Sequence, residues 1–296
     1  MRLYTYRLTA DAPDRLGVGY AENTNVLFPL EAFGLSFADM NSLIREITSE
    51  QMQTLANPPA DVEPLALADL VARAPIPYPL QDVLCLGINY RAHHEEIIRY
   101  DEKAFGERPR AIYFSKRVNE ANWDGGPIPL YEGLVDRLDY EVELGVILGK
   151  DAKNVKAEDA ADYIFGYTII NDVSARDLQT GHKQWYFGKS LDGFTPIGPC
   201  IVTADEIAFP PALPIRCTVN GELRQDSTTD LLITSIAEII AELSQGMTLK
   251  AGTIIATGTP SGVGMGFDPP RFLKDGDEVV CEIGGIGTLT NAVRKE

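Results

Sequence analysis

The sequence predicts an α+β fold that is mostly β, and three observations predict it. Beyond residue 79 the chain breaks into short runs rich in Val, Ile, Tyr, Phe and Thr, the composition of strands. Helical spacing is confined to a few segments. Two Pro-rich stretches, "NPPADVEP" and "APIPYPLQ", flank a short pattern near residue 70, as expected of a connection rather than a core element. The expected organisation is a small N-terminal α+β domain over 1–79 and a larger β-dominated domain over 80–296.

Within the first part, "RLYTYRL" and "NTNVLFPL" read as strands, "SFADMNSLIREIT" as a helix capped by Ser36, and "LALADLVARA" as a helix. Strand-like runs then follow in order: "DVLCLGIN", "AIYFSK", "YEVELGVILGK", "IFGYTIINDVS", "CIVTADEI", "IRCTVNGEL", "TIIATGT" and "DEVVCEIGGIGTLTNAV". The helical candidates among them are "RAHHEEIIRYDEKAF", "KAEDAADYI" and "TSIAEIIAELSQG". No internal repeat or low-complexity tract interrupts the chain.

Composition narrows the function classes. Lys and Arg total 26 against 43 Asp and Glu, a formal charge of −17. Nucleic acid and acidic membrane surfaces need clustered positive charge, so neither is an expected partner. Cys85, Cys200, Cys217 and Cys281 form no Cys-x-x-Cys pair, which removes a disulfide framework and a thiolate metal site. The first residues lack the apolar stretch of a secretory signal, and no run approaches the roughly 18 apolar residues of a membrane span. A cytoplasmic protein is the expectation.

The run "DYEVELG" at 139–145 alternates carboxylates with apolar or aromatic residues. On a strand, Asp139, Glu141 and Glu143 share one face. Downstream, "YTIINDVSARDLQ" leaves Asp172 at the end of an apolar strand, where a carboxylate has no packing reason to be. Glu141, Glu143 and Asp172 together supply three hard oxygen ligands, one face of an octahedral divalent cation. In "GINYRAHHEEIIRY", His93 and Glu96 lie on one face of a helix, where the carboxylate fixes the imidazole tautomer and raises its basicity, as suits a general base.

Competing motifs fail on context. "GTPSGVGMGF" does not match Gly-x-Gly-x-x-Gly and is followed by "DPPRF" where a phosphate-binding helix would begin. "WYFGKS" lacks the first glycine of a phosphate loop, since Lys183 stands there. Ser261 lacks the leading glycine of a nucleophile elbow, with Thr259 in that place.

Taken in order, "GINYRAHHEE", "DYEVELGVILGK", "YTIINDVSARDLQ", "GKSLDGFTPIGP", "ATGTPSGVG" and "GDEVVCEIGGIGTLTNAV" resemble the fumarylacetoacetate hydrolase (FAH) family from about residue 80 to the C-terminus. The resemblance implies a mixed β-roll or sandwich catalytic domain, a Mg²⁺ or Mn²⁺ cofactor and a homodimer. It implies Glu141, Glu143 and Asp172 as metal ligands, His93 and Glu96 as catalytic groups, and Arg176, Gln179, Lys189 and Thr259 as substrate contacts. Lys189 is also expected to stabilise a developing oxyanion. Asp139 falls outside the ligand set and is expected in a supporting role. Two departures bear on the substrate. Lys116 of "FSK" is followed by Arg117, Val118 and Asn119 where the family has Pro and then Ser, and Ala92 replaces an acidic residue.

The expected chemistry is metal-dependent hydrolysis of a C–C bond in an acylpyruvate-type 2,4-dioxo acid, such as a fumarylpyruvate- or fumarylacetoacetate-like compound. Decarboxylation or isomerisation of a 2-oxo or 2-hydroxy-dienoic diacid, of the oxaloacetate or 2-hydroxyhepta-2,4-diene-1,7-dioate type, is the alternative within the family. A non-catalytic metal-binding scaffold is the competing class, and the intact base and ligand set favour the enzyme. The segment 103–134 is expected to form a lid, with Arg108, Arg110 and Arg117 available to a second carboxylate of the substrate.

Overall fold

The computed structural model describes residues 1–100 and 110–295. Its strands are β1 (Arg2–Arg7), β2 (Arg15–Tyr20), β3 (Asn23–Pro29), β4 (Leu65–Ala66), β5 (Val71–Ala72), β6 (Val83–Gly87), β7 (Ile112–Lys116), β8 (Ile128–Leu130) and β9 (Leu138–Asp139). They continue with β10 (Val142–Leu148), β11 (Ile164–Asn171), β12 (Ser174–Ala175), β13 (Ile197–Thr203), β14 (Pro214–Val219), β15 (Glu222–Thr228), β16 (Ile254–Ala256), β17 (Glu278–Ile283) and β18 (Gly287–Lys295). The α-helices are α1 (Met40–Glu46), α2 (Ser49–Leu55), α3 (Arg91–Tyr100), α4 (Arg176–Gly181), α5 (Tyr186–Lys189) and α6 (Ile236–Gly246).

Among the described residues, a large sheet runs in the order β4-β3-β2-β1-β13-β11-β10-β16-β6-β7, with β5 beside β1. A second sheet, β15-β14-β17-β18-β8, packs over it, and β9 pairs with β12. This is the mostly-sheet α+β architecture expected from the strand-rich composition.

Strands β10 and β11 lie in the middle of the large sheet and are covered on both faces. Leu144, Val146 and Ile169 join the cluster shared with Ile215, Cys217, Cys281 and Leu289 of the second sheet. Their neighbours Ile147 and Ile170 point the other way, into a cluster with Leu3, Val18, Leu43, Ile201 and Ile254. Burial on both faces explains why "VELGVILGK" reads as a continuous apolar run rather than an alternating one. The four cysteines are unpaired and buried. No helix among the described residues is long and apolar enough to cross a membrane.

Several local expectations are corrected. The segment "LALADLVARA" forms no α-helix: Leu65–Ala66 pairs with β3 and Val71–Ala72 with β1, leaving only a 3₁₀ turn at Leu67–Asp69, so sheet-edge hydrogen bonding overrides the helical spacing. Asp39 caps α1 by accepting from Ser42 N, in place of Ser36. "KAEDAADYI" winds as a 3₁₀ helix over Ala157–Tyr163, and β2 was hidden by its glycines. In the N-terminal segment, β1 pairs with β13, and Leu3, Val18 and Leu43 share a core with Ile147 and Ile201. Of the expected lid, 103–109 lies outside the described residues, and 112–116 is instead a strand paired with β6.

Candidate active site

Several short elements converge on one cavity. Its lining includes Leu86, Gly87 and Ile88 from the end of β6, His93 and Ile97 from α3, and Arg176, Gln179 and Lys189 from α4 and α5. Glu141, Thr259, Met265, Phe114 and Trp185 complete it. His93, Glu141, Arg176, Gln179, Lys189 and Thr259, singled out from sequence, are therefore brought together, and all are buried.

The carboxylates come from two adjacent strands. Glu143 stands opposite Ile170 in the β10–β11 ladder, and Asp172 follows β11 with its N–H donating to Glu141 O at 2.8 Å. One carboxylate oxygen each from Glu141, Glu143 and Asp172 lies within 4.8 Å of the others, and all three residues are buried. The strand is broken at Tyr140–Glu141, between β9 and β10, so Asp139 leaves this group. It accepts from Gly264 N at 2.7 Å, Met265 N at 3.0 Å and Arg176 Nε at 2.9 Å.

Cations compensate these charges unevenly. Lys116 Nζ donates to Asp172 Oδ1 at 2.5 Å, and Lys189 Nζ to Asp172 Oδ2 at 2.7 Å and Glu141 Oε2 at 2.9 Å. Arg176 Nη1 pairs with Glu141 Oε1 at 2.5 Å. Burial alone raises the Glu141 carboxyl's pKa, but Lys189 and Arg176 outweigh it and hold the group well below the usual range. Burial likewise lowers the Lys189 ammonium's pKa, and Asp172 and Glu141 reverse that, leaving it raised. Glu143 differs. Burial, Asp172 and Glu141 all push its carboxyl well above the ordinary value. It accepts from Gly258 N at 2.8 Å, and no Lys or Arg pairs with it among the described residues.

Among the described residues, four buried carboxylates (Asp139, Glu141, Glu143, Asp172) thus face three buried cations (Lys116, Arg176, Lys189). The uncompensated charge and the all-oxygen donor set fit a hard divalent cation of the Mg²⁺ or Mn²⁺ kind.

The imidazole is built on a separate frame. Asn89 Nδ2 donates to Thr257 O and Thr234 O, and Thr234 N donates back to Asn89 Oδ1, which ties the start of α3 to the end of β16. Gly258, at φ 99°, allows this approach, since a Cβ there would stand 2.6 Å from that of Asn89. One turn into α3, His93 Nδ1 lies 3.2 Å from Glu96 Oε2. Glu96 in turn accepts from Gly262 N at 2.9 and 3.2 Å. Nε2 is left as the nitrogen available to a substrate. The adjacent His94 is half-buried and does not line the cavity.

The hydroxyl of Thr259 donates to Val142 O and accepts from Gln225 Nε2 at 2.7 Å, so its proton is committed to the frame. By contrast, Arg176 Nη2 is a buried donor without a partner among the described residues. Arg117 pairs with Asp82 at 3.0 Å near the surface, Arg110 is exposed, and Arg108 lies outside the described residues. Reading the sequence missed Lys116, whose signal was the one that flagged Asp172: a charged residue closing an apolar strand, here "IYFSK".

Residues 82–294 match the family model for the fumarylacetoacetate (FAA) hydrolase C-terminal region. Oxaloacetate tautomerase YisK of Bacillus subtilis (strain 168) is 46% identical over 228 residues, 77% of this chain and 74% of its own length. The solved fumarylacetoacetate hydrolase EaFAH from psychrophilic Exiguobacterium antarcticum is 35% identical, with a TM-score of 0.85 covering 100% of both chains. The 2-hydroxyhepta-2,4-diene-1,7-dioate isomerase from Mycobacterium marinum is 32% identical, with a TM-score of 0.73 covering 100% of this chain and 99% of its own.

Proposed function

Since the chain belongs to the fumarylacetoacetate hydrolase family and is an enzyme of that family acting on a small molecule, we propose that it interconverts the keto and enol forms of a short 2-oxo diacid of the oxaloacetate type. The observation that carries this reading is His93, a buried imidazole with Nδ1 against Glu96 that shares one cavity with Arg176 and Lys189. Tautomerisation asks for a base, an anchor for carboxylate and stabilisation of developing negative charge, and this wall offers all three. The 46% identity to an oxaloacetate tautomerase supports the same choice.

In this reading Arg176 Nη2, with Gln179 beside it, takes a substrate carboxylate, a charge-assisted contact that satisfies the unpartnered donor. His93 Nε2 moves the proton at C3, and Glu96 balances the charge the ring then carries. Lys189, held charged by Asp172 and Glu141, stabilises negative charge on oxygen rather than donating a proton. Glu141, Glu143 and Asp172 would hold a Mg²⁺ or Mn²⁺ ion, whose chemistry there is Lewis-acid polarisation of the oxo group. Residues 1–79 lie before the matched region, and we read them as an accessory unit attached through β1; the family's homodimer is our reading of the assembly.

Hydrolysis of an acylpyruvate is the second reading, favoured by the imidazole–carboxylate pair, which suits activation of water, and by the similarity to EaFAH. Two assays separate the readings. With Mg²⁺ present, the protein should accelerate decay of the enol absorbance of oxaloacetate. If instead an acylpyruvate is cleaved in ¹⁸O-water with label in the released acid, while the enol decays at its uncatalysed rate, hydrolysis replaces tautomerisation. Release of CO₂ without label assigns a decarboxylase.

A further inference from the structure

The sequence "SGVGMG" at 261–266 follows Thr259 and remains unexplained by the site it borders. Its backbone N–H groups serve two carboxylates, each the partner of a side chain that lines the cavity. Gly262 N donates to both oxygens of Glu96, the partner of His93. Gly264 N and Met265 N each donate to an oxygen of Asp139, the partner of Arg176 Nε. Between these contacts, Val263 and Met265 turn inward to pack with Ile88 and Ile97.

The alternating glycines have a steric reason. A Cβ on Gly262, at φ 103°, would stand 1.8 Å from Arg224 O, and one on Gly264 would stand 2.5 Å from Arg271 O. At Gly266 the obstruction is different: the Cβ would meet the Glu96 carboxyl group itself, 2.1 Å from its carbon and from Oε1. The carboxylates are pressed onto the loop backbone, and a side chain would pry them off.

We propose that Gly262–Gly266 is a positioning loop that sets the base and the carboxylate-binding arginine together, through Glu96 and Asp139. This rests on the reading of His93 and Arg176 given above. Gly262 N holds both Glu96 oxygens while Oε2 faces His93 Nδ1, which keeps the Nδ1–H tautomer and leaves Nε2 free for substrate. Asp139, receiving two N–H groups, holds Arg176 Nε and so aims Nη2.

Gly266→Ala tests the loop without touching the cavity lining. The new methyl group meets the flexible end of Glu96, so Glu96 should swing off His93 while the fold persists. The ¹⁵N shifts of the His93 ring at fixed pH should move from the Nδ1–H pattern toward the Nε2–H pattern. Glu96→Asp in the same chain makes room for the methyl group and should restore the Nδ1–H pattern. This readout needs no substrate, so it stands or falls apart from the assigned reaction. Where turnover is measured, Gly266→Ala should lower kcat by about 10²-fold, as for a displaced catalytic group, with KM little changed and partial recovery in the double variant. Unchanged ring shifts in Gly266→Ala, or a double variant no better than the product of the single losses, would overturn the proposal. If Gly266→Ala does not fold but the double variant does, Glu96 is confirmed as the obstacle. If neither folds, something other than Glu96 rejects the methyl group and the proposal fails.

Discussion

Asp139 and Glu143 come from the same short run of sequence, both are buried, and they stand in opposite electrostatic conditions. Asp139 is saturated: two loop N–H groups and the Arg176 guanidinium take both of its oxygens. Glu143 has one N–H, from Gly258, and two neighbouring carboxylates that repel it. A protein gains nothing from burying a carboxylate in that second condition unless something else supplies the missing charge. The first residue is part of the frame, and the second is the one we propose as a cation ligand.

The largest expected effect breaks the frame. Asp139→Ala leaves Arg176 buried without its Nε partner, and should cost about 3–5 kcal/mol in chemical denaturation of the metal-free protein. Glu143→Gln should cost nothing under the same conditions, because it removes repulsion from Asp172 and Glu141. A Glu143→Gln protein less stable than Asp139→Ala without metal would invert the comparison.

Adding metal sharpens it. At about 100 times the dissociation constant, Mg²⁺ or Mn²⁺ should stabilise the natural protein by about 2.7 kcal/mol. Glu143→Ala should lose that gain together with activity, and unchanged cation affinity in this variant would remove Glu143 from the site. Next in size, His93→Ala should lower turnover by about 10²-fold or more and keep the metal-dependent stabilisation, since the imidazole stands on α3, apart from the carboxylates. His94→Ala should change turnover far less, because that ring does not line the cavity. The smallest effect is expected outside the cavity lining. Ser235→Ala removes the side-chain cap of α6 and should cost about 1 kcal/mol with kcat unchanged.

The same comparison shows what the sequence made legible. Glu141, Glu143 and Asp172 stood out because a charged residue inside an apolar strand contradicts its surroundings, and His93 with Glu96 followed from helical spacing. Alternation on one strand groups Asp139 with Glu141 and Glu143, and nothing in the sequence points to its partners. They are backbone N–H groups of a loop 125 residues or more away, and backbone donors leave no residue-type signal. Lys116 carries the same signal as Asp172, a charged residue closing an apolar strand, next to the departure at Arg117. The fold class was legible from strand composition. The error at "LALADLVARA" arose where edge pairing with β1 and β3, a long-range effect, overrode a local pattern.

Following the C3 protons of oxaloacetate by NMR in deuterated water, with Mg²⁺ present, tests whether His93 moves the C3 proton of a short 2-oxo diacid held by Arg176. Enzyme-dependent exchange at C3 is expected, strongly reduced in His93→Ala and preserved in His94→Ala. Exchange no faster than in the absence of protein, or equally fast in His93→Ala, would contradict this role of His93.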